Sequence, residues 1–423
     1  MNTYKSSVFF QKYSLSVALF ALWILYLLIL DKYVLWAYVG VPQMNPLFAD
    51  LHAILSANEC HTRGLNVFFS NPCDVLARVH VYGSIWLSLS ALGLGSPHLF
   101  VMGLVLNSVF LVLVVYLLKP TSAGEFFKCC LILFSPAVTL GVERGNNDLL
   151  IFILLALSAA LFTSKDKIAN IFGLVIIYFS TLLKIYPSIL LAATLVFARR
   201  NIKEFILLAA CAAGLAALWL LPNIDEILLL SNIVPKPTDH YATGARAMLL
   251  YIGRPYPWVL TIHTAWWLAG FISLIALCSI ALASRLKTLE LQRPQAGFTY
   301  VLYIFGLTIL FFTYAINSNY DYRWIFFIFL MPQLFEIQKY QTKGTLAHRM
   351  VTLGFVCVAI VIWTEMFRST RLFGSIHFNI FFNIGRSTFS IELFQQFIKE
   401  FAAWVLFVVL FAFAIKIFPK RVA

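Results

Sequence analysis

The sequence predicts an all-α, polytopic membrane protein of about twelve transmembrane helices, and three observations predict it. Hydrophobic residues make up 61% of the 423-residue chain and charged residues only 12%, with a mean hydropathy of +0.87, a composition unsuited to a water-soluble domain. Apolar runs close to the length of a bilayer crossing recur along the chain, the first from Ser14 to Leu30. Helices follow, because an open sheet would leave backbone polar groups unpaired in lipid.

In order, the runs lie near residues 13–30, 98–118, 124–140, 148–163, 168–183, 187–198, 203–221, 259–284, 298–316, 323–338, 350–366 and 399–417. Small residues of a cleavage site do not follow the first run, so it reads as a retained helix. With both termini placed in the cytoplasm, the segments on that side hold eighteen basic and five acidic residues, which leaves thirteen of each elsewhere and puts the whole net charge of +13 on one face. This is the positive-inside pattern of an integral membrane protein, and it assigns the basic balance to topology rather than to nucleic-acid binding.

The connections on the cytoplasmic side are too short to fold as a nucleotide-binding domain, so the whole chain, 1–423, reads as a single integral membrane domain with its chemistry outside or within the bilayer. Three extracytoplasmic segments are long, at 31–97, 222–258 and 367–398, and they are rich in aromatic residues, Arg and His rather than in linker residues. Five cysteines, Cys129, Cys130, Cys211, Cys278 and Cys357, fall inside predicted spans and read as small apolar residues. Cys60 and Cys73 share the first outer loop, thirteen positions apart, where an oxidising compartment allows a bridge.

Within that loop, Asn45 before Pro46 reads as a helix N-cap and Gly64 as a stop, which predicts a helix over about 46–63. Leu47, Phe48, Leu51, Ile54 and Leu55 recur at helical spacing as one apolar stripe, so the helix is expected to lie flat on the membrane. Asp50 falls at the edge of the stripe, with Ala57 and His61 each about 20° away at about 100° per residue. A carboxylate there sits where lipid meets water and suits a general base; the competing reading is a helix-start acid stabilised by the macrodipole.

Signatures of soluble enzymes are missing: the sequence holds no Walker loop, no HExxH and no spaced Cys/His set, so neither metal nor cofactor is expected. Ionisable groups at membrane depth remain, and they are costly enough to suggest function. In GVERGNNDLL, Glu143, Arg144, Asn146, Asn147 and Asp148 crowd a turn between two apolar runs; alternatively, Glu143 pairs with Arg144 and Asp148 caps a helix. In LLKIYP, Lys184 lies between runs of 16 and 12 apolar residues, both short of a crossing. It either holds a lipid phosphate or snorkels to the interface. In NSNYDYRW, Arg323 suits a phosphate with Asp321 orienting it and Tyr322 beside it, against a plain interfacial pair.

In this order the motifs PLFADLHAIL, GLNVFFSNPCD, ERGNNDLL, LLKIYP and NYDYRW, over residues 45–330, resemble the GT-C superfamily of membrane-embedded glycosyltransferases. The likeness is greatest to the bacterial branch of polyprenyl-phosphate-mannose-dependent mannosyltransferases. That resemblance implies a dozen or so helices, a polyprenyl-phosphate sugar as donor, a lipid or glycan acceptor, and an inverting hexosyl transfer at the outer face. It also implies Asp50 as base, Lys184 and Arg323 near the donor phosphate, and the ERGNND turn, with Glu143, Arg144, Asn146, Asn147 and Asp148, on the donor side. His61 joins the expected substrate-binding residues. The chain departs from the branch at Asn66, Val67 and Phe68, where relatives show Asp-Pro-Tyr, and at Tyr82–Gly83, where they show Tyr-Pro, so the resemblance leaves the sugar open.

The chemistry agrees with that reading. Glycoside hydrolysis calls for two carboxyl groups, one of them to protonate the leaving oxygen, whereas a phosphate leaves as a stable anion and needs only positive charge. The rivals are a flippase or transporter of lipid-linked saccharide, which needs charges through both leaflets, and a polysaccharide polymerase or ligase, for which Arg368, Arg371 and Arg386 of the last outer segment would supply the arginines.

Overall fold

A computed structural model describes residues 14–25, 36, 40–164, 166–195, 202–235, 242–245, 247, 264–286, 297–316, 319–368, 382–384, 387–389 and 391–417. The chain is a nearly all-helical membrane protein. Among the described residues six helices are long and apolar enough to cross a bilayer: Ser96–Leu118, Ile206–Ile233, Trp266–Arg285, Phe298–Ile316, Leu346–Met366 and Phe394–Ile417.

The other apolar runs form shorter or broken helices. Ala123–Leu133 and Pro136–Glu143 meet at a 53° bend, because Ser135 caps the second helix through Val138 N–H and Pro136 cannot continue the first. The run at 187–198 begins as one 3-10 turn, Tyr186–Ser188, followed by the short helix Ile189–Ala193. The run at 323–338 divides into a 3-10 helix, Asp321–Phe329, and an α-helix, Met331–Tyr340, with Pro332 in its first turn. Irregular backbone at such depth is tolerated when protein covers it, and Trp324 through Met331 are all buried.

Phe298–Ile316 is the central helix, and Ile206–Ile233 turns most of its surface outward. Gly306 lets the central helix press onto the 3-10 segment, since a Cβ there would lie 2.8 Å from the Phe326 carbonyl oxygen. Phe152 of the helix Asp148–Phe162 stacks on Phe329 with centroids 4.2 Å apart and meets Phe110 edge-on at 5.1 Å. Two residues, Ala242–Thr243, pair antiparallel with Asn319–Tyr320 and brace the chain where it leaves the central helix. Much of the outer segments 222–258 and 367–398 lies outside the described residues, Arg371 and Arg386 included.

The first loop departs from expectation at its helix. That helix is Ala49–Thr62, not 46–63, and it is buried on all sides from Ala49 to Asn58, so it does not lie on the membrane with one face in lipid. Asn45 is not its cap: Phe48 occupies the left-handed region at φ 59° and ends the preceding turn. The orphan donors at the helix start are satisfied from another part of the chain, with Phe48 N–H donating to the Glu143 carbonyl (3.2 Å) and Asp50 N–H to that of Arg144 (3.0 Å). Phe48 fits because Gly103 and Gly145 lack side chains; a Cβ on Gly103 would sit 2.2 Å from its ring. Gly64 does end the helix, at φ 80°.

Cys60 and Cys73 form a disulfide that ties the end of this helix to the loop beyond it. Replacing both by Ser is expected to remove about 3 kcal/mol of stability, the chain-entropy value for closing a loop of this size. A fall in the thermal unfolding midpoint of the purified protein, matched by reducing the parent, checks it.

Candidate functional site

Four stretches singled out in the sequence meet at one end of the bundle. The turn 143–147 joins Pro136–Glu143 to Asp148–Phe162, Lys184 ends the helix Lys167–Leu183, and Arg323 lies in the first turn of the 3-10 helix. Asp50 joins them because the backbone of its helix start is docked on the Arg144 carbonyl.

Asp50 is buried, and its two oxygens differ. Oδ2 accepts from Asn146 Nδ2 at 2.6 Å. Oδ1 has only long contacts, with Arg78 Nη1 at 3.3 Å and Arg144 Nη1 at 3.9 Å. One oxygen is therefore fixed and the other is loosely held between two guanidinium groups, which leaves it able to accept a further hydrogen bond.

Asp148 anchors the other half. Its Oδ1 accepts from Lys184 Nζ at 2.5 Å and from the Tyr186 hydroxyl at 2.9 Å. Lys184 Nζ also donates to Asn147 Oδ1 at 2.9 Å. Arg323 Nε lies 3.8 Å from Asp148 Oδ2, and its guanidinium sits 5.2 Å over the Tyr186 ring. Lys184 is thus no snorkelling side chain; it stands 5.7 Å from each of the rings of Tyr82, Tyr186 and Tyr322. Arg144 Nε, Asn147 Nδ2 and Arg323 Nε are buried donors without a hydrogen-bond partner among the described residues. Two of them face a carboxylate oxygen at long range, Arg144 Nε 4.0 Å from Glu143 Oε2 and Arg323 Nε 3.8 Å from Asp148 Oδ2, so these donors are weakly engaged and able to turn to an added oxyanion.

Tyr82 bridges the halves. Burial, reinforced by the charge of Asp50, pushes its phenol well above the usual tyrosine range, so it remains a proton donor. Glu143 faces the loop, accepting from Met44 N–H at 2.9 Å, with Arg144 Nε 4.0 Å away.

Two expected site residues fall elsewhere. His61 is exposed near the far end of its helix, about 16 Å along the axis from Asp50 at 1.5 Å per residue, and it lines a separate groove with Asn66, Phe68 and Leu87. Asp321 does not orient Arg323 by direct pairing: its Oδ2 accepts from Lys399 Nζ at 2.5 Å, while Arg323 turns to Asp148. In a 3-10 helix successive side chains diverge by about 120°, so residues two apart point apart.

Sequence reasoning missed Arg78, Asp74 and His52. Arg78 grips Asp74 with Nε (2.8 Å) and Nη2 (3.2 Å), donates Nη2 to the Ala49 carbonyl at 2.5 Å, and reaches Asp50 with its remaining nitrogen. His52 Nδ1 lies 2.9 Å from Asp74 Oδ1. Burial alone would raise the Asp74 carboxyl, but the His52 and Arg78 hydrogen bonds outweigh it and hold the group well below its ordinary value. The i, i+4 spacing of Asp74 and Arg78 was the available signal. Among the described residues no group of three or more His, Cys, Asp or Glu side chains is placed to hold a metal ion.

His80 carries a pH dependence. Burial, helped by nearby His61 and opposed by the Gly83 carbonyl, lowers its pKa from 6.5 to about 4. Between those values the unfolded chain takes up a proton that the folded protein refuses, so stability present above pH 6.5 is lost as pH falls toward 4. Unfolding midpoints across this window should fall for the parent and flatten for His80→Gln. Asp74 acts in a lower window, because its depressed carboxyl gives up stability as pH falls below the ordinary carboxyl value of 3.8 toward its folded pKa.

No family model matches the chain, and neither a curated protein nor a solved structure shows significant similarity to it.

Proposed function

We propose that the protein is an inverting glycosyltransferase that moves a hexose from a polyprenyl-phosphate carrier to a hydroxyl of a lipid or glycan. The setting is the extracytoplasmic face of a bacterial cytoplasmic membrane, with both termini cytoplasmic and a dozen helices arranged as in the GT-C superfamily. The observation that supports it is one cluster holding both halves of the required chemistry: Asp50 with a loosely held oxygen and Arg144 beside it, and Lys184 and Arg323 around Asp148. Asp50 takes the proton of the acceptor hydroxyl as that oxygen attacks the anomeric carbon. The bond from that carbon to the phosphate oxygen breaks, its electron pair stays on the phosphate, and the cations stabilise the charge. The lipid phosphate and the new glycoside are the products.

Asp148 is a poor candidate for a covalent nucleophile, since it is fully buried and committed to Lys184, Tyr186 and Arg323. With Asp50 engaged as the base, a single displacement follows. Sealed proteoliposomes supplied with radiolabelled polyprenyl-phosphate sugar and membrane lipid extract test the reading. Label in a new covalent product supports transfer; label carried into the lumen on unaltered donor supports a flippase instead, and neither outcome with any donor tried removes both.

A further inference from the structure

The last helix, Ile391–Ile417, presents three polar residues one turn apart, Gln396, Lys399 and Glu400, all buried. Lys399 has no solvent exposure, which is costly for an ammonium and calls for well-placed partners. Its Nζ donates to Asp321 Oδ2 at 2.5 Å and to Glu365 Oε1, on the helix Leu346–Arg368, at 3.1 Å.

The two neighbours hold the same region from behind. Gln396 Nε2 donates to the Ala242 carbonyl at 3.2 Å and to Glu400 Oε1 at 2.6 Å. Glu400 accepts from Gly244 N–H at 3.3 Å and from the Tyr314 hydroxyl. Residues 242–243 are the strand paired with 319–320, and Thr243 Oγ1 accepts from Trp324 Nε1 at 3.2 Å. The helix therefore grips the chain on both sides of Tyr322 and Arg323: through the ribbon before them, through Asp321 beside them and through Trp324 after them.

We propose that Lys399 is a positioning residue that sets the guanidinium of Arg323 against Asp148. Holding Asp321 fixes the first residue of the 3-10 helix, and the divergence of its side chains then aims Tyr322 and Arg323 into the site. Without the ammonium, Asp321 loses the bond that ties the start of the 3-10 helix to the last helix, and the short, irregular segment shifts. What Arg323 is held for, the donor phosphate, rests on the proposed function; the positioning itself does not.

The test is therefore free of substrate. Full-length protein in nanodiscs is treated with phenylglyoxal, and adducts at Arg323, Arg144 and Arg78 are quantified by peptide mass spectrometry. In Lys399→Met the Arg323 rate is expected to rise about tenfold, equivalent to about 1.4 kcal/mol of lost restraint, with Arg144 and Arg78 unchanged. Lys399→Arg should return it to the parent rate. Should Lys399→Met not fold, Lys399→Met with Glu365→Gln, which also removes the carboxylate on the neighbouring helix, should show the same selective rise. An unchanged Arg323 rate in a folded variant, or an equal rise at all three arginines, overturns the proposal, the second by reducing Lys399 to general support of the fold. Failure of the parent to transfer sugar would remove the functional reading and leave this readout as it stands.

Discussion

Asp50→Asn is expected to lower the rate of sugar transfer by about a thousandfold, the middle of the range for removing a general base, with little loss of stability. The asymmetry follows from the contacts. The Asn146 contact to Oδ2 survives if the amide presents its oxygen there, and Arg78 keeps its grip on Asp74 and the Ala49 carbonyl. The helix start is held by backbone groups, which the substitution does not touch. What disappears is the charged oxygen between Arg78 and Arg144. Donor binding should change little, because two of the phosphate cations, Lys184 and Arg323, are held by Asp148 rather than Asp50, so the loss should appear mainly in kcat rather than in KM for the donor. Steady-state kinetics beside a thermal unfolding profile separate the two effects.

Asp148→Asn should do the reverse and damage the fold first. Asp148, itself fully buried, is the shared counter-charge of the partly buried Lys184 and Arg323 and the acceptor for the buried Tyr186. Removing one partner of a buried ion pair leaves the other uncompensated and costs about 3 to 5 kcal/mol. Here two cations are left beside one another, so a marked fall in unfolding midpoint and in yield is expected. A lipid phosphate would supply the missing negative charge. Polyprenyl phosphate should therefore raise the unfolding midpoint of Asp148→Asn more than that of the parent, and no such difference would argue against phosphate binding at Lys184 and Arg323.

The contents of the site were legible in the sequence because of contrast. Charged residues inside apolar runs, as in ERGNND and LLKIYP, have few explanations, and four such stretches proved to share one location. Their pairing was not legible. Arg323 and Asp321 are two apart and were expected to cooperate, but the 3-10 turn sends them to opposite partners, Asp148 and Lys399. The Ala49–Thr62 helix was misplaced for a related reason: Asn45 and Pro46 have the chemistry of a helix start, whereas the donors are actually met by carbonyls about 95 residues away in the chain. Its apolar stripe suggested a lipid-facing surface because a single sequence does not show that protein covers the remaining faces. Arg78 was hidden among other polar loop residues. Lys399 escaped notice because the last apolar run was read as opening there, which makes a lysine ordinary; the helix in fact starts at Ile391 and carries Lys399 two turns inward.

The anomeric configuration of the new glycosidic bond tests the account most directly. Donor and product made by the purified protein are compared by the coupling of the anomeric proton. Asp50 acting as the base, a phosphate leaving group and Asp148 committed to its cations predict inversion. A product with the donor's configuration would contradict the account, as it would require a covalent sugar intermediate that Asp50 alone, acting as a base, does not provide.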